Sequence, residues 1–340
     1  MTSDALRTEI ARSVEVLESL EAEWWALADA APTATPFQTP GWLLPWWRHL
    51  GGGELVAVLV RDARRLRGLA PLTIEQVGGA RRLRWMGAGV SDYLTALVDP
   101  ELSRDVWELL LGGLTALLDL VGGAVLDNVP EDDPLFAVLE QLPRRWAWRR
   151  VADASCLAAP LPRLEPPSSR PRICQKAAAS SRRLARVGPV RLSDVGGPAG
   201  EPVPSGPLME VLFELHGQRW RARGEEGVTA LEAVRAHHRE AATRMQARGL
   251  LRLHALEHAG KTAGVLYGFQ FRARRWMYLC GFAPALSRFS PGSILVDRAR
   301  ASALAEGALA MDFLRGREPY KLRWGTFERR TWRIDITRAE

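Results

Sequence analysis

The chain has 340 residues, of which 47% are apolar and 25% charged, a globular composition with enough length for two hydrophobic cores and no need of disulfides. Its longest apolar stretch, Leu109 to Val129, is broken by Asp119 and four glycines, short of the ~20 clean apolar residues that cross a bilayer, so no membrane insertion is expected. The formal net charge of +7 is uneven: residues 1–171 carry 17 Arg and Lys against 23 Asp and Glu, while residues 172–340 carry 29 against 16. The field of the second half therefore favours anionic ligands. Cys156, Cys174 and Cys280 lie far apart without metal-ligand spacing, and MTSDALRTEI lacks a signal pattern. A cytoplasmic protein with reduced thiols and no metal is expected.

In chain order, VEVLESLEAEWWALAD repeats its apolar positions at intervals of three and four, which predicts an amphipathic helix from Val14. ELVAVLVRD, LRGLAPLTIEQ and RRLRWMG follow, separated by the turns ARR and VGGA. Their alternation and short connections predict an antiparallel meander. LSRDVWELLLGGLTALLDL reads as a helix and AVLDNVP as a short buried strand, completing a first unit over residues 1–150. From Val151 prolines accumulate, and the core LPRLEPPSSRPR has no periodicity, so residues 151–171 are expected to be a linker. QKAAASSRRLARVG is short, Ala-rich and basic, the profile of an exposed helix, and GGPAGEPVPSGP from Gly196 to Pro207 reads as a loop.

The same order of elements then returns over residues 172–340. Met209, Phe213, His216 and Trp220 form one seam of a helix, and AVRAHHREAATR reads as a polar helix that exposes His237 and His238. LLRLHALEH, TAGVLYGFQF and RWMYLCG make a second meander, PGSILVDRARASALAEG a helix and ALAMDFLRG a buried strand. Two diverged copies of one αβ unit is the economical interpretation. The fold class is α/β (α+β), each unit a mixed, mostly antiparallel sheet flanked by helices.

A meander followed by a loop, a helix and a strand resembles the GNAT superfamily of acyltransferases. The resemblance implies that the loop CGFAPALSRFSPGSIL, from Cys280 to Leu295, meets the pyrophosphate of coenzyme A at a helix N-terminus. Arg288 offers a cation there, Ser290 and Ser293 offer hydroxyls, Pro291 suits a first helical turn and Gly292 admits close backbone approach. The superfamily pattern R/Q-x-x-G-x-G/A is met imperfectly, with Gly292 one place late after Arg288 and Ser293 in the last small position. The corresponding first-unit stretch, GAGVSDYLTALVDPELSR, has acids and no arginine before its helix, which suits phosphate poorly.

The segments FQTPGWLLPWWRHLG, GLAPL, MGAGVSDYL, LHGQRW, GFAPALSRFSPGSIL and MDFLRGREPYKLRWG, in that order, resemble the CelD-like (BcsL-type) acetyltransferases, bacterial proteins labelled as acting in cellulose biosynthesis. They are more distantly similar to the FemAB-like aminoacyl ligases of peptidoglycan. The resemblance implies tandem GNAT-like units, acetyl-CoA or another acyl-CoA bound by the second unit, and an acceptor in the cleft. That acceptor would be an amine or hydroxyl of a small molecule or glycan precursor of the cell envelope or of exopolysaccharide biosynthesis.

The residues themselves point to the same place. DFLRGREPYKLRWG clusters Asp312, Arg315, Glu318, Tyr320, Lys321 and Trp324 at the exit of a buried strand, where α/β folds place function. Acyl transfer needs a base, an electrostatic stabiliser of the oxyanion and a proton for the departing thiolate. Lys321, one of only three lysines among 46 cationic residues, is the expected stabiliser and Tyr320 the proton donor. Asp312 or His216 is expected to orient or deprotonate the acceptor, and Cys280 reads as a core residue. No GxSxG, HExxH, P-loop or four-cysteine cluster is present, which removes the main support for serine hydrolase, zinc protease, NTPase or zinc-finger chemistry. An aminoacyl-tRNA-dependent ligase, using the basic half to hold tRNA, and a non-catalytic nucleotide-glycan or nucleic-acid binding module remain the alternatives.

Overall fold

A computed structural model describes residues 5–163, 171–197, 204–222 and 224–339. The proline-rich core of the expected linker, residues 164–170, and residues 198–203 of the Gly196–Pro207 loop lie outside the described residues. The chain divides into two compact units, one formed by Met1–Ala154 with Arg329–Glu340, the other by Ser155–Glu328.

The first unit begins with β1 (Arg7–Ala11), α1 (Val14–Ser19), α2 (Glu21–Ala30) and α3 (Pro40–Leu50). The helix expected from Val14 is thus broken, at Leu20, into two. β2 (Glu54–Arg61), β3 (Leu66–Val77) and β4 (Ala80–Trp85) form the antiparallel meander, in register at Glu54↔Ile74 and Leu72↔Trp85, with β1 on its outer edge and β5 (Leu97–Val98) on β3. α4 (Ser103–Val121) lays Val106, Leu110, Leu114 and Leu117 against the meander at helical spacing, and β6 (Ala124–Pro130) and α5 (Leu135–Leu139) follow.

β4 and β6 run parallel but pair only at Leu83↔Ala124. The chain itself occupies the region beyond that pair. Leu94 donates its N–H to Asn128 O of β6, the Trp42 indole donates to Ser91 Oγ at 2.8 Å, the Gln38 amide donates to Tyr93 O, and Tyr93 is buried. Met86, Gly87 and residues 91–94 of MGAGVSDYL are thus core of the first unit.

β7 (Trp146–Pro160) carries the chain into the second unit. Regular strand therefore covers the first part of the segment expected to be linker, because Leu157 and Ala159 join the second core, and Cys156 and Ala158 are buried as well, before the prolines accumulate. α6 (Arg172–Ala185) is half-buried along Cys174, Ala177, Ser180 and Leu184 and packs on α9 (Pro291–Ala305). β8 (Val190–Val195), α7 (Gly206–Arg221) and α8 (Glu232–Ala247) lead into the second meander, β9 (Leu251–His258), β10 (Lys261–Phe271) and β11 (Arg274–Phe282). β12 (Ala310–Arg315) joins β11 in parallel and β7 in antiparallel, α10 (Pro319–Leu322) follows, and β13 (Phe327–Arg338) returns to the first unit beside β6. The second unit's strand order is β7-β12-β11-β10-β9-β8, mixed and mostly antiparallel.

α7 and α9 cover opposite faces of this sheet. Gly281 faces α7 so closely that a Cβ would lie 2.7 Å from the backbone nitrogen of His216, whereas Gly264 faces Leu295 of α9. Contrary to expectation, His237 and His238 are fully buried. They occupy positions in the α8 seam Val234, His237, His238, Ala241, Ala242 and Met245, which has the three- and four-residue spacing of a core face.

Candidate active site

The site is made where β11 and β12 part. Their pairing is limited to Arg274↔Ala310, Arg275↔Met311 and Trp276↔Asp312. Both strands then change register against their other neighbours. β11 holds Tyr278 as an extra residue between Met277, opposite Gly268, and Leu279, opposite Tyr267. β12 holds one extra residue between Asp312, opposite Ala158, and Arg315, opposite Cys156. A bulge bends its strand and ends local pairing, and two bulges at the same level separate the strands. The edge of β11 from Met277 to Phe282 is left without pairing to β12.

Asp312 and Lys321 hold the bulge of β12. Leu314 sits at φ 59, a left-handed conformation that costs a non-glycine residue on the order of 1–2 kcal/mol. Oδ1 of the fully buried Asp312 accepts the Leu314 N–H at 2.9 Å, and Oδ2 accepts from Arg274 Nη1 at 3.2 Å. Gly316, at φ 103, completes the turn. Lys321 is 4% exposed; its Nζ donates to Arg315 O at 2.6 Å and Gly316 O at 3.3 Å and pairs with Glu318 Oε2 at 2.9 Å. The ammonium's three protons are thereby directed at oxygens of its own corner.

On the α7 side, His216 is buried with both ring nitrogens engaged. Trp220 Nε1 donates to its Nε2 at 2.7 Å and its Nδ1 meets Thr229 Oγ1 at 3.1 Å. Burial, aided by the charge of Arg219, depresses its pKa to about 4. Burial pushes the Cys280 thiol up to about 11, with Arg219 opposing. Tyr320 is partly exposed as a residue, but burial and then the nearby Cys280 and Glu318 raise its pKa above the usual phenol value, again with Arg219 opposing. Arg219 therefore acts on all three titratable groups. Its guanidinium lies 5.0 Å from the Phe282 ring, with no carboxylate at ion-pair distance among the described residues.

Phe282 links Arg219 to the start of α9, since a Cβ on Gly292 would meet its ring at 3.4 Å, an ordinary contact. In the first turn Pro291 has no N–H, and Ser293 and Ile294 both donate to Ser290 O. The Gly292 N–H, by contrast, meets no acceptor among the described residues. Ser290 enters the helix at φ 53, and Arg288, exposed, stacks 4.9 Å from Phe289. The structure thus places Arg288, Ser290, Gly292 and Ser293 at one helix start, and His216 and Tyr320 about Arg219. Asp312 and Lys321 lie inside the neighbouring corner. Arg219 was missed by sequence reasoning although it stands in LHGQRW; its spacing of three from His216 was the available signal. Among the described residues no group of three His, Cys, Asp or Glu side chains is placed to hold a metal ion, and no helix is long and apolar enough to cross a membrane.

Comparison with known proteins bears on the fold of the chain. Residues 172–322 match the acetyltransferase (GNAT) domain family. No curated protein sequence matches the chain. Among solved structures the chain is similar to FemX, with 10% identity over 96% of each chain and a TM-score of 0.66. It is similar to a tandem GNAT protein from the clavulanic acid biosynthesis pathway, with 14% identity over 96% of this chain and 98% of that one and a TM-score of 0.51. L-PGS from Bacillus licheniformis shows 9% identity over 92% and 90% of the two chains and a TM-score of 0.53. At such identities the likeness is one of fold. The chain therefore has the fold of tandem GNAT proteins, and its residues 172–322 are a GNAT-type acyltransferase domain.

Proposed function

We propose that the second unit transfers an acetyl or other acyl group from acyl-CoA to an amine of a small-molecule or glycan-precursor acceptor; the resemblance to CelD-like acetyltransferases implies the acyl transfer and leaves amine and hydroxyl both open. The observation that carries this reading is the parting of β11 and β12 beside a helix start that offers an open Gly292 N–H and a cation without a carboxylate partner, Arg219. A diphosphate is held by N–H donors, a helix dipole and arginine, and this helix start with Arg219 offers one open N–H, the dipole and one guanidinium. The first unit's equivalent region is filled by residues of MGAGVSDYL. A cytoplasmic location would supply the donor, and polysaccharide biosynthesis is the setting to which the family label points.

In the reaction, the acceptor nitrogen forms a bond to the thioester carbonyl carbon, the carbon–sulfur bond breaks, and the acceptor gives up a proton while the thiolate gains one. Tyr320 is the donor to the thiolate; its hydroxyl is protonated at neutral pH, and its raised pKa makes it a weak acid that gives up the proton only as the thiolate departs. His216 Nε2 receives the acceptor's proton once the Trp220 hydrogen bond opens. A base with a pKa of about 4 is too weak to ionise a hydroxyl but suffices for an amine that attacks neutral and loses its proton afterwards, which favours an amine acceptor. Cys280 keeps its proton at neutral pH, which favours direct transfer over an acyl-cysteine. Asp312 and Lys321 shape the corner against which the acyl group lies.

Thermal stabilisation by coenzyme A and acetyl-CoA tests the reading. Stabilisation is expected for the wild type and not for Gly292→Val, whose added methyls crowd the helix start while its backbone angles remain allowed. Stabilisation of both alike would reject the loop. Salt-sensitive tRNA binding without a coenzyme A effect would favour the aminoacyl-tRNA-dependent ligase.

A further inference from the structure

The short helix α10 is inside out. Its lysine, Lys321, is 4% exposed, whereas Tyr320 and Leu322 on either side are 38% and 49% exposed, and Phe327 just beyond is 50% exposed. Single exposed apolar side chains are common, but a buried lysine between an exposed tyrosine and leucine is not. The inversion is held in place. The ion pair and carbonyl bonds of Lys321 and the buried Trp324 fix the turn from within, so the apolar side chains point outward from a stiff support. Arg315, Arg317 and Arg323 are interleaved with them and exposed; Arg317 has only a long, exposed pairing to Glu328 at 3.6 Å, and the other carboxylate of the segment, Glu318, is engaged by Lys321.

We propose that residues 315–327 form a docking surface for an anionic lipid membrane, with Leu322 and Phe327 entering the interface and the arginines meeting headgroup phosphates. Charge complementarity selects this occupant. Three exposed arginines, Arg315, Arg317 and Arg323, face two carboxylates, of which Glu318 is engaged by the buried Lys321 and Glu328 lies just past the segment, and aliphatic Leu322 gains from hydrocarbon what it cannot gain from a nucleic-acid backbone. Tyr320 belongs both to this surface and to the surroundings of Cys280 and Arg219, so a docked membrane would lie at the edge of the candidate active site. The site would then take acceptors presented at a lipid surface.

Co-sedimentation of the full chain with vesicles tests this. Binding is expected to vesicles of phosphatidylcholine mixed with phosphatidylglycerol and to be at least about ten-fold weaker with phosphatidylcholine alone, each arginine near an anionic surface adding about five-fold. Leu322→Asp with Phe327→Asp should abolish sedimentation, and Arg317→Ser with Arg323→Ser should weaken it about ten- to thirty-fold. Both double variants alter exposed positions and should keep wild-type stabilisation by coenzyme A, which separates failure of this proposal from failure of the acyltransferase reading. Equal sedimentation with the two vesicle types, sedimentation with neither, or variants that bind like the wild type would overturn it. So would a greater affinity for tRNA that the apolar double variant loses in parallel.

Discussion

Trp220 donates its indole N–H to Nε2 of His216 at 2.7 Å, and Thr229 Oγ1 stands 3.1 Å from Nδ1 of the same ring. Since the indole can only donate, Nε2 is the acceptor and the proton of the neutral imidazole resides on Nδ1, facing Thr229. The loop after α7 closes over this pair. Gly227 approaches so near that a Cβ would stand 2.5 Å from Trp220 and 2.8 Å from His216.

This neutral, buried histidine makes stability depend on acid. Its folded-state pKa, about 4, lies below the unfolded value of 6.5, so as pH falls the unfolded chain takes up the proton first. Stability is full above pH 6.5 and declines through the window down to about pH 4, the loss from His216 being about 2 kcal/mol by pH 5. His238, depressed to about 3 by burial and then by the charge of His216, adds in the same direction. Urea unfolding at pH 7.5 and pH 5 should show a smaller difference for His216→Gln than for the wild type. An unchanged difference would mean that the ring charges in place.

Arg219→Gln should weaken coenzyme A binding about ten-fold, the loss of one charge-assisted contact to phosphate. It should also raise the pKa of His216, whose depression includes the Arg219 charge. Arg288, exposed and held only against Phe289, should matter less. Calorimetric titration of the two variants ranks them, and the reverse order would place the phosphates at Arg288.

Tyr320→Phe should leave coenzyme A affinity as it is and lower kcat by about 10²-fold, the loss expected on removing a general acid. Turnover with an amine acceptor decides this. Undiminished kcat would assign the thiolate's proton to solvent.

Lys321→Met should destabilise the protein by about 1–3 kcal/mol, because carbonyls of the corner and Glu318 lose their donor while Glu318 remains half-open to water. Lys321→Arg is also expected to destabilise, since a planar guanidinium does not fit a buried site shaped for a compact ammonium. Chemical denaturation measures both. A Lys321→Arg protein with wild-type stability and a 10²- to 10³-fold loss of rate would instead give the lysine a direct part in the reaction.

Asp312→Ala removes the acceptor that supports Leu314 at positive φ and should cost about 2–4 kcal/mol, whereas Asp312→Asn keeps an oxygen for that N–H and should cost about 1 kcal/mol. The same denaturation assay should return this order.

The two meanders, the helix after each and the short strand closing each unit were legible in the sequence, because each buries one face of a regular element and burial prints a period of 2 or 3.6 on the chain. The start of α9 was legible too, since Pro291 and Gly292 act through local backbone chemistry. His237 and His238 show where residue type misleads. Their spacing marks the buried face of α8, but histidine within a polar run reads as solvated.

What Asp312, Lys321 and Arg219 contact could be decided only by tertiary structure. Whether a carboxylate deprotonates a ligand or props a bulge depends on a one-residue slip between β12 and β7, strands more than a hundred residues apart in the chain. Whether a lysine faces a ligand or its own carbonyls depends on the turn that slip creates. The course of β13 back to the first unit is equally hidden, because FERRTWRIDITR alternates like any half-buried strand and carries no mark of which edge it will join. Periodicity specifies which side of an element is buried, and the partner of that side is fixed by contacts remote in sequence.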